Sequence, residues 1–330
     1  MSESIVFCGI DVSSKKLDVC IEFGSSRESG TFENTPQGHQ QLISRLTKRV
    51  RSSRVALEAT GVYGFELSLA LHRAKRVEVM VVNPRSSSDF ARALMKRSKT
   101  DPVDAATLLE YVKRMPFTEW TAPSEQVVEL QRVTRHIQAN VRSRIQERNR
   151  MHALRRVPGS EVVLAEVASH IEFLDESTQR LRDRALEIVG NDPRLAEMLR
   201  HATSIKGIGI MSGLTIVAEL ASLPADMTPR QWVAHAGLDP RRVESGTSVN
   251  QPVRISRAGN VHLRCALYMP AIVAMQHEPS VKAFYQKLIG RGKKPMVAVV
   301  AIMRKLLHAL HGMLHRNADF DGAKFHAVAA

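Results

Sequence analysis

Asp101 and Asp104 stand in a run otherwise dominated by Lys96, Arg97, Lys99 and Arg114. If a helix starts near Pro102, the two carboxylates lie at i and i+3 and project from one face. Such a pair can hold a divalent cation, provided further carboxylates arrive from elsewhere in the fold. The same residues also read as an ordinary helix start, with Asp101 as N-cap, Pro102 in the first turn and Asp104 favouring the macrodipole. Asp11 lies between Ile10 and Val12 in an apolar run. Burying it is costly unless it is paired or binds a metal; otherwise alternation places it on a solvent face. Glu58 comes near the end of the run RVALEA at 54–59, while Asp18 and Asp89 read as surface or turn residues. A second chemical candidate is the hydroxyl of Ser245, followed by Gly246 and surrounded in sequence by Arg241, Arg242, Arg254 and Arg257. A Ser-Gly pair is commonly a plain turn, no nucleophile-elbow motif is present, and Ser248 is a rival that the bare sequence does not exclude.

The elements that must position these groups can be read from hydrophobic period and turn signals. Residues 4–23 give two β-runs joined by Ser13-Ser14-Lys15-Lys16, and 30–34 a possible third strand. Thr35-Pro36 opens a helix over about 36–50, strands follow at 54–59 and 77–82 around a helix over 62–75, and a helical stretch at 86–115 restarts near Pro102. Three strands, helix, strand, helix, strand, helix is a ribonuclease-H-like order, α/β in class. Such a sheet can bring Asp11, Glu58, Asp101 and Asp104 to one edge, where four carboxylates repel unless divalent cations lie between them; paired Mg²⁺ ions are a known device for phosphoryl displacement.

The remainder reads as mainly helical. Residues 124–156 carry an apolar stripe (Leu130, Val133, Ile137, Val141, Ile145) flanked by eight arginines, among them Arg142, Arg144 and Arg148, with only Glu125, Glu129 and Glu147 to balance them. That excess favours contact with a phosphate backbone. The next helix keeps a heptad of Leu164, Ile171, Thr178 and Ala185 with Val167, Leu174, Leu181 and Ile188, a coiled-coil seam that can close on the neighbouring helix or on a second subunit. Residues 203–223 resemble a helix-hairpin-helix in which Lys206, Gly207 and Gly209 would meet a nucleic-acid backbone. Residues 241–256 are strand-like, followed by helices over about 261–276, 279–289 and 295–316. His308, His311 and His315 on the last helix read as a solvated or phosphate-facing stripe, and the tail beyond Asn317 as loosely ordered. The boundaries that follow are 1–122, 123–192 and 193–330.

Composition narrows the partners. Lys and Arg number 47 against 33 acidic residues, a formal net charge of +14, which points to a polyanion. No apolar run approaches the ~20 residues of a membrane-spanning helix, and no signal peptide opens the chain, so the expected setting is cytoplasmic. Cys8, Cys20 and Cys265 are isolated in apolar surroundings and read as core thiols. Aromatics at 5% argue against a stacking platform as the main binding mode.

The motifs Gly9-Ile10-Asp11-Val12-Ser13, Leu57-Glu58-Ala59-Thr60-Gly61 and Lys99-Thr100-Asp101-Pro102-Val103-Asp104-Ala105 resemble the first domain of the insertion-sequence transposases related to the Piv DNA invertase, understood as bridge-RNA-guided serine recombinases. That domain is similar to the Holliday-junction resolvase RuvC. Ala236-Gly237-Leu238, Pro240, Ser245-Gly246, Gly259-Asn260 and Leu263-Arg264 resemble the family's carboxy-terminal transposase domain. The resemblance implies that Asp11, Glu58, Asp101 and Asp104 are a metal-binding tetrad for two Mg²⁺ ions, and that Ser245 is the nucleophile. It also implies a phosphoserine link to a 5′ phosphate and exchange through a Holliday junction. The implied partners are donor and target duplex DNA and a bridge RNA, and the implied assembly is a tetramer, a dimer of dimers, in which the two centres meet between subunits. A hydrolytic junction nuclease and a non-catalytic nucleic-acid-binding protein are the alternative classes.

Overall fold

The structure, a computed structural model, describes residues 5–48, 52–59, 63–95, 100–245 and 249–326. The turn at Thr60-Gly61, the residues Lys96, Arg97 and Lys99, and Gly246 and Ser248 lie outside the described residues. The backbone divides into two compact units, Met1–Ala122 and Pro123–Ala330.

In the first unit, β1 (Ile5–Val12), β2 (Lys16–Phe23) and β3 (Ser26–Glu33) form an antiparallel meander. α1 (Pro36–Thr47), β4 (Ser52–Glu58), α2 (Phe65–Arg73) and β5 (Val77–Val82) follow, then α3 (Pro84–Ala93) and α4 (Asp101–Arg114). The five strands make one mixed sheet in the order β3-β2-β1-β4-β5, with β4 parallel to both β1 and β5. β3 is longer than its sparse apolar content suggests, because full backbone pairing with β2 carries the polar run Ser26–Gly30. Alternation along the strands separates two faces. Val6, Cys8 and Ile10 of β1, with Val55 and Leu57 of β4, pack under Leu42, Leu46, Leu67 and Leu71 of α1 and α2. The opposite face meets α4. Gly9 is the point of closest approach, since a Cβ there would lie 2.1 Å from the Ala105 carbonyl oxygen and 2.2 Å from the Leu109 nitrogen. Only a residue without a side chain lets α4 lie that near β1.

The second unit is helical apart from one hairpin. α5 (Glu125–Leu154) is capped by Ser124, whose hydroxyl accepts the Val127 N–H at 3.3 Å, and α6 (Glu161–Gly190) folds back along it. The heptad side of α6 faces this pairing, with Val167, Leu174, Ala185 and Ile188 buried. α7 (Pro193–Ser204), α8 (Ile210–Ala221) and α9 (Pro229–His235) lead to a hairpin of β6 (Pro240–Ser245) and β7 (Val249–Ile255). The unit ends with α10 (Val261–His277), α11 (Pro279–Gly290), α12 (Pro295–Arg316) and α13 (Gly322–Phe325).

Four expectations are corrected. α12 has 22 residues and is long and apolar enough, by length and composition, to cross a membrane. Its buried side, from Ala298 through Ile302, Leu306 and Leu310 to Met313, lines the core of this unit. His311 is not part of a solvated stripe: its ring lies 4.8 Å from that of Trp232 and its Nε2 is 2.8 Å from the Met227 carbonyl oxygen. The segment after Asn317 is held down by Phe325, which is 4% exposed and packs against Phe284. Cys265 is exposed on α10, while Cys8 and Cys20 are buried.

Candidate functional site

The first unit gathers acids at the carboxyl ends of β1 and β4. Ile10 pairs with Leu57, so Asp11 and Glu58 come level as the next residues of two adjacent parallel strands. Period two puts Asp11 on the face of Gly9, and Glu58 on the face of Ala56, which is the side that α4 covers. α4 begins at the same end with Asp101 and Asp104 in its first turn. Its N-cap is Thr100, not Asp101: the Thr100 carbonyl accepts the Asp104 N–H at 2.9 Å, and Asp101 is already helical. The Asp101 carboxylate, spared from capping, receives the Lys16 ammonium at 2.9 Å.

Two residues join this group that the sequence did not single out, and one moves. Asp18 is buried and lies opposite Asp11 in the β1–β2 ladder, where it accepts the Thr31 hydroxyl at 2.9 Å and pairs with Lys16 at 2.9 Å. It is a member of the acid cluster and not a surface residue; only the β1–β2 register could have revealed this. Lys16 therefore bridges Asp18 and Asp101. The hydroxyl of Ser87, buried on α3, donates to Glu58.

Electrostatics records the convergence. Burial, then the charges of Asp104, Asp101, Glu58 and Asp18 in that order, push the Asp11 carboxyl up to about 6. The Lys16 hydrogen bond instead holds Asp101 below the ordinary carboxylate range. Among the described residues, no three Asp, Glu, His or Cys side chains close on one point as a ready coordination shell. The donor set is nonetheless all oxygen, which suits a hard dication such as Mg²⁺.

The second unit holds a different carboxylate. Glu219 of α8 is 0% exposed, and Arg135 of α5 grips it with Nε to Oε1 at 2.7 Å and Nη2 to Oε2 at 2.9 Å. The amides of Gln131 and Asn260 donate to Oε2 at 2.9 and 2.6 Å. Burial raises the carboxyl, but Arg135 and Asn260 outweigh it and leave Glu219 below its ordinary value. Asn260 also caps α10 by accepting the Leu263 N–H at 3.0 Å, and its own N–H donates to the His235 carbonyl at 2.6 Å. Gly259, at φ +145°, packs so closely that a Cβ would meet that carbonyl at 2.1 Å. Glu219 thereby ties α5, α8 and the Asn260 cap of α10 together. A lone Glu in the apolar run of α8 is the signal that the sequence carries for it.

Ser245 ends β6, paired with Val249 where the hairpin turns. Exposed Arg241 pairs directly with exposed Arg254 across the ladder, and exposed Arg257 follows. Like charges placed opposite one another destabilise a ladder unless an anion lies over them. The arginines of α5 divide. Arg135 turns inward to Glu219, Arg144 and Arg148 pair with Asp175 of α6, and Arg142 stays exposed. Gly207 has φ +112°, and a Cβ on it would lie 2.7 Å from Ala274 N and Pro270 O, so packing against α10 already demands glycine there. Lys206 and Gly209 are exposed beside it.

Two family models match the chain. A "Transposase" model of the IS110 DEDD type covers residues 8–155, and the "Transposase IS116/IS110/IS902 family" model covers residues 199–286. The first match contains the four acids, Gln131 and Arg135, and the second contains Ser245, Glu219 and Asn260. The chain is 28% identical to the pilin gene-inverting protein of Moraxella bovis, over 96% of this chain and 98% of that one, and equally so to the protein of that name from Moraxella lacunata. It is 25% identical to the insertion element IS900 42 kDa protein of Mycobacterium paratuberculosis, over 85% of this chain and 71% of that one. The four acids fall in the first matched segment and Ser245 in the second, and these matches together with the pilin gene-inverting relatives support an IS110-family transposase related to those proteins.

Proposed function

We propose that this protein is a transposase and site-specific DNA recombinase of an insertion sequence, with a ribonuclease-H-like first unit, a serine nucleophile and a bridge RNA that selects donor and target DNA. The observation that carries the reading is the placement of Asp11, Glu58, Asp101 and Asp104 at one end of the sheet, with the Asp11 carboxyl pushed up to about 6. The strand order β3-β2-β1-β4-β5 and the family matches support it.

Asp11, Glu58, Asp101 and Asp104 would hold two Mg²⁺ ions, which when bound polarise the scissile phosphate and stabilise charge on the attacking and leaving oxygens. The Ser87 hydroxyl orients Glu58, and Lys16 pairs with Asp18 and Asp101 beside it. Ser245 Oγ attacks phosphorus, the Oγ–P bond forms as the P–O3′ bond breaks, and the serine proton is lost as the 3′ oxygen gains one. The phosphate-ester bond is conserved, so strands rejoin without ATP. Arg241, Arg254 and Arg257 neutralise the DNA backbone beside the serine. The names of the pilin gene-inverting relatives agree with a DNA-rearranging activity. Assembly as a tetramer, a dimer of dimers, belongs to the same reading, and exposed Val162 and Phe173 of α6 are apolar surface open to another subunit. The setting is the cytoplasm, at the nucleoid.

The test incubates the protein with its RNA, paired DNA sites and Mg²⁺, and looks for a denaturant-resistant protein–DNA adduct. Wild type should form one, and Ser245→Ala and Asp11→Ala should not. An adduct that persists in Ser245→Ala, or DNA cut by water with no adduct, defeats the serine assignment.

A further inference from the structure

A groove of about 670 Å³ opens within the second unit, bounded by α5, α6 and the first turns of α8 and α10. Its volume falls in the range of small-molecule sites, ~300–1,000 Å³. Ile137, Val141, Met211 and Ala266 line its apolar part, and Arg142, Arg144 and Arg182 stand at its edges. The single lining acid, Asp175, is engaged by Arg144 and, at 3.8 Å, by Arg148. Arg144 Nε is buried and has no hydrogen-bond partner, a donor in want of an acceptor oxygen. An apolar bed beside an excess of guanidinium groups, with the amides of Gln138 and Gln179 at hand, matches a flat heterocycle joined to an anion.

We propose that this groove takes one unpaired nucleotide, its base against the Ile137–Met211 side and its phosphate among Arg142, Arg144 and Arg182. The proposal rests on the reading that the protein works on nucleic acid, and adds to it a subsite for a base outside any helix. A duplex cannot satisfy the groove, because its bases are stacked and paired and taking one out costs a few kcal/mol. An unstacked base in a loop or a displaced strand meets no such cost, and aliphatic side chains and guanidinium planes accept its face without reading its edge.

Cys265 lines the same groove and is exposed, whereas Cys8 and Cys20 are buried, so the full chain carries a built-in reporter. The experiment measures iodoacetamide alkylation of Cys265 by peptide mass spectrometry, with binding followed in parallel by fluorescence anisotropy. The probes are one sequence as single-stranded RNA, as single-stranded DNA and as duplex DNA. At ten times its dissociation constant a bound single strand should slow alkylation about tenfold, and the RNA and DNA arms identify which strand supplies the nucleotide. Duplex DNA should bind and leave Cys265 reactive. Arg182→Ala should weaken the single strand by about tenfold and leave duplex binding unchanged. Single strands that bind without protecting Cys265, or equal protection by duplex, overturn the nucleotide subsite and leave the wider reading intact. So does a Cys265 that is unreactive before any nucleic acid is added, since a second copy would then cover the groove. If no probe binds in anisotropy, both fall.

Discussion

The acid end of the β1–β4 sheet and the Glu219 centre between α5, α8 and α10 each confine carboxylates, but they balance charge in opposite ways. Around Asp11, like charges from Asp104, Asp101, Glu58 and Asp18 face one another, and Lys16 pairs with Asp18 and Asp101. Around Glu219, a single carboxylate is saturated by a bidentate arginine and two amides. The first arrangement brings like charges together, as the proposed metal site would require. The second is complete in itself, and holds three helices in register. A carboxylate's neighbours, more than its burial, therefore separate a ligand-binding acid from a structural one.

The largest effect expected from this contrast is on stability. Glu219→Ala leaves Arg135 and the amides of Gln131 and Asn260 without their acceptor and should cost about 3 kcal/mol in denaturant unfolding of the second unit. Asp11→Asn in metal-free protein should be neutral or stabilising, because it relieves repulsion; equal losses in the two variants would erase the distinction. Next, Gly9→Ala should cost about 1–3 kcal/mol or more, since the added Cβ meets α4 backbone that cannot step aside. By moving α4 it should also bring the Asp11 carboxyl back toward the ordinary range in a carboxyl ¹³C titration. Third, Mg²⁺ at ten times its dissociation constant should stabilise wild type by about 1.4 kcal/mol in thermal unfolding. Asp104→Asn should abolish that increment and Glu219→Gln should keep it.

The smallest effect is in the pH profile, where the two sites should have opposite signs. The Asp11 carboxyl is raised to about 6 in the folded chain, so its contribution to stability is present at low pH and lost as pH rises through about 6. Glu219 is lowered, so its contribution is present above the unfolded carboxylate range and lost as pH falls. Difference profiles of Asp11→Asn and Glu219→Gln against wild type, from pH 4 to 7.5, should slope in opposite directions. Mg²⁺ affinity should rise through the same window as Asp11 gives up its proton.

Much of the first unit was readable because its signals are local. β-branched runs, Thr35-Pro36, Asn83-Pro84 and the restart at Pro102 mark strands and helix starts through short-range sterics and capping. The roles of Asp18, Lys16 and Ser87 were not readable, because each depends on a partner on another strand or helix: Asp11 and Asp101, 7 and 85 residues from Asp18 and Lys16, and Glu58 for Ser87. In the second unit the α6 heptad announced its seam, but not that Arg135, Arg144 and Arg148 would be drawn into ion pairs with Glu219 and Asp175. Charge counted along one helix cannot include acids contributed by another.

The sequence by itself determined that four acids and a serine stand in motifs shared with DNA transposases, and that the chain carries enough positive charge to meet a polyanion. Only the tertiary structure decided that Asp101 leaves capping to Thr100, and that α4 can lie close enough to β1 to bring its acids to Asp11. It also decided that Glu219, not marked by any motif, joins α5 and α8 to the start of α10. The reason is reach: capping, period and turn chemistry act over a few residues, whereas charge balance at a site sums over every element packed against it.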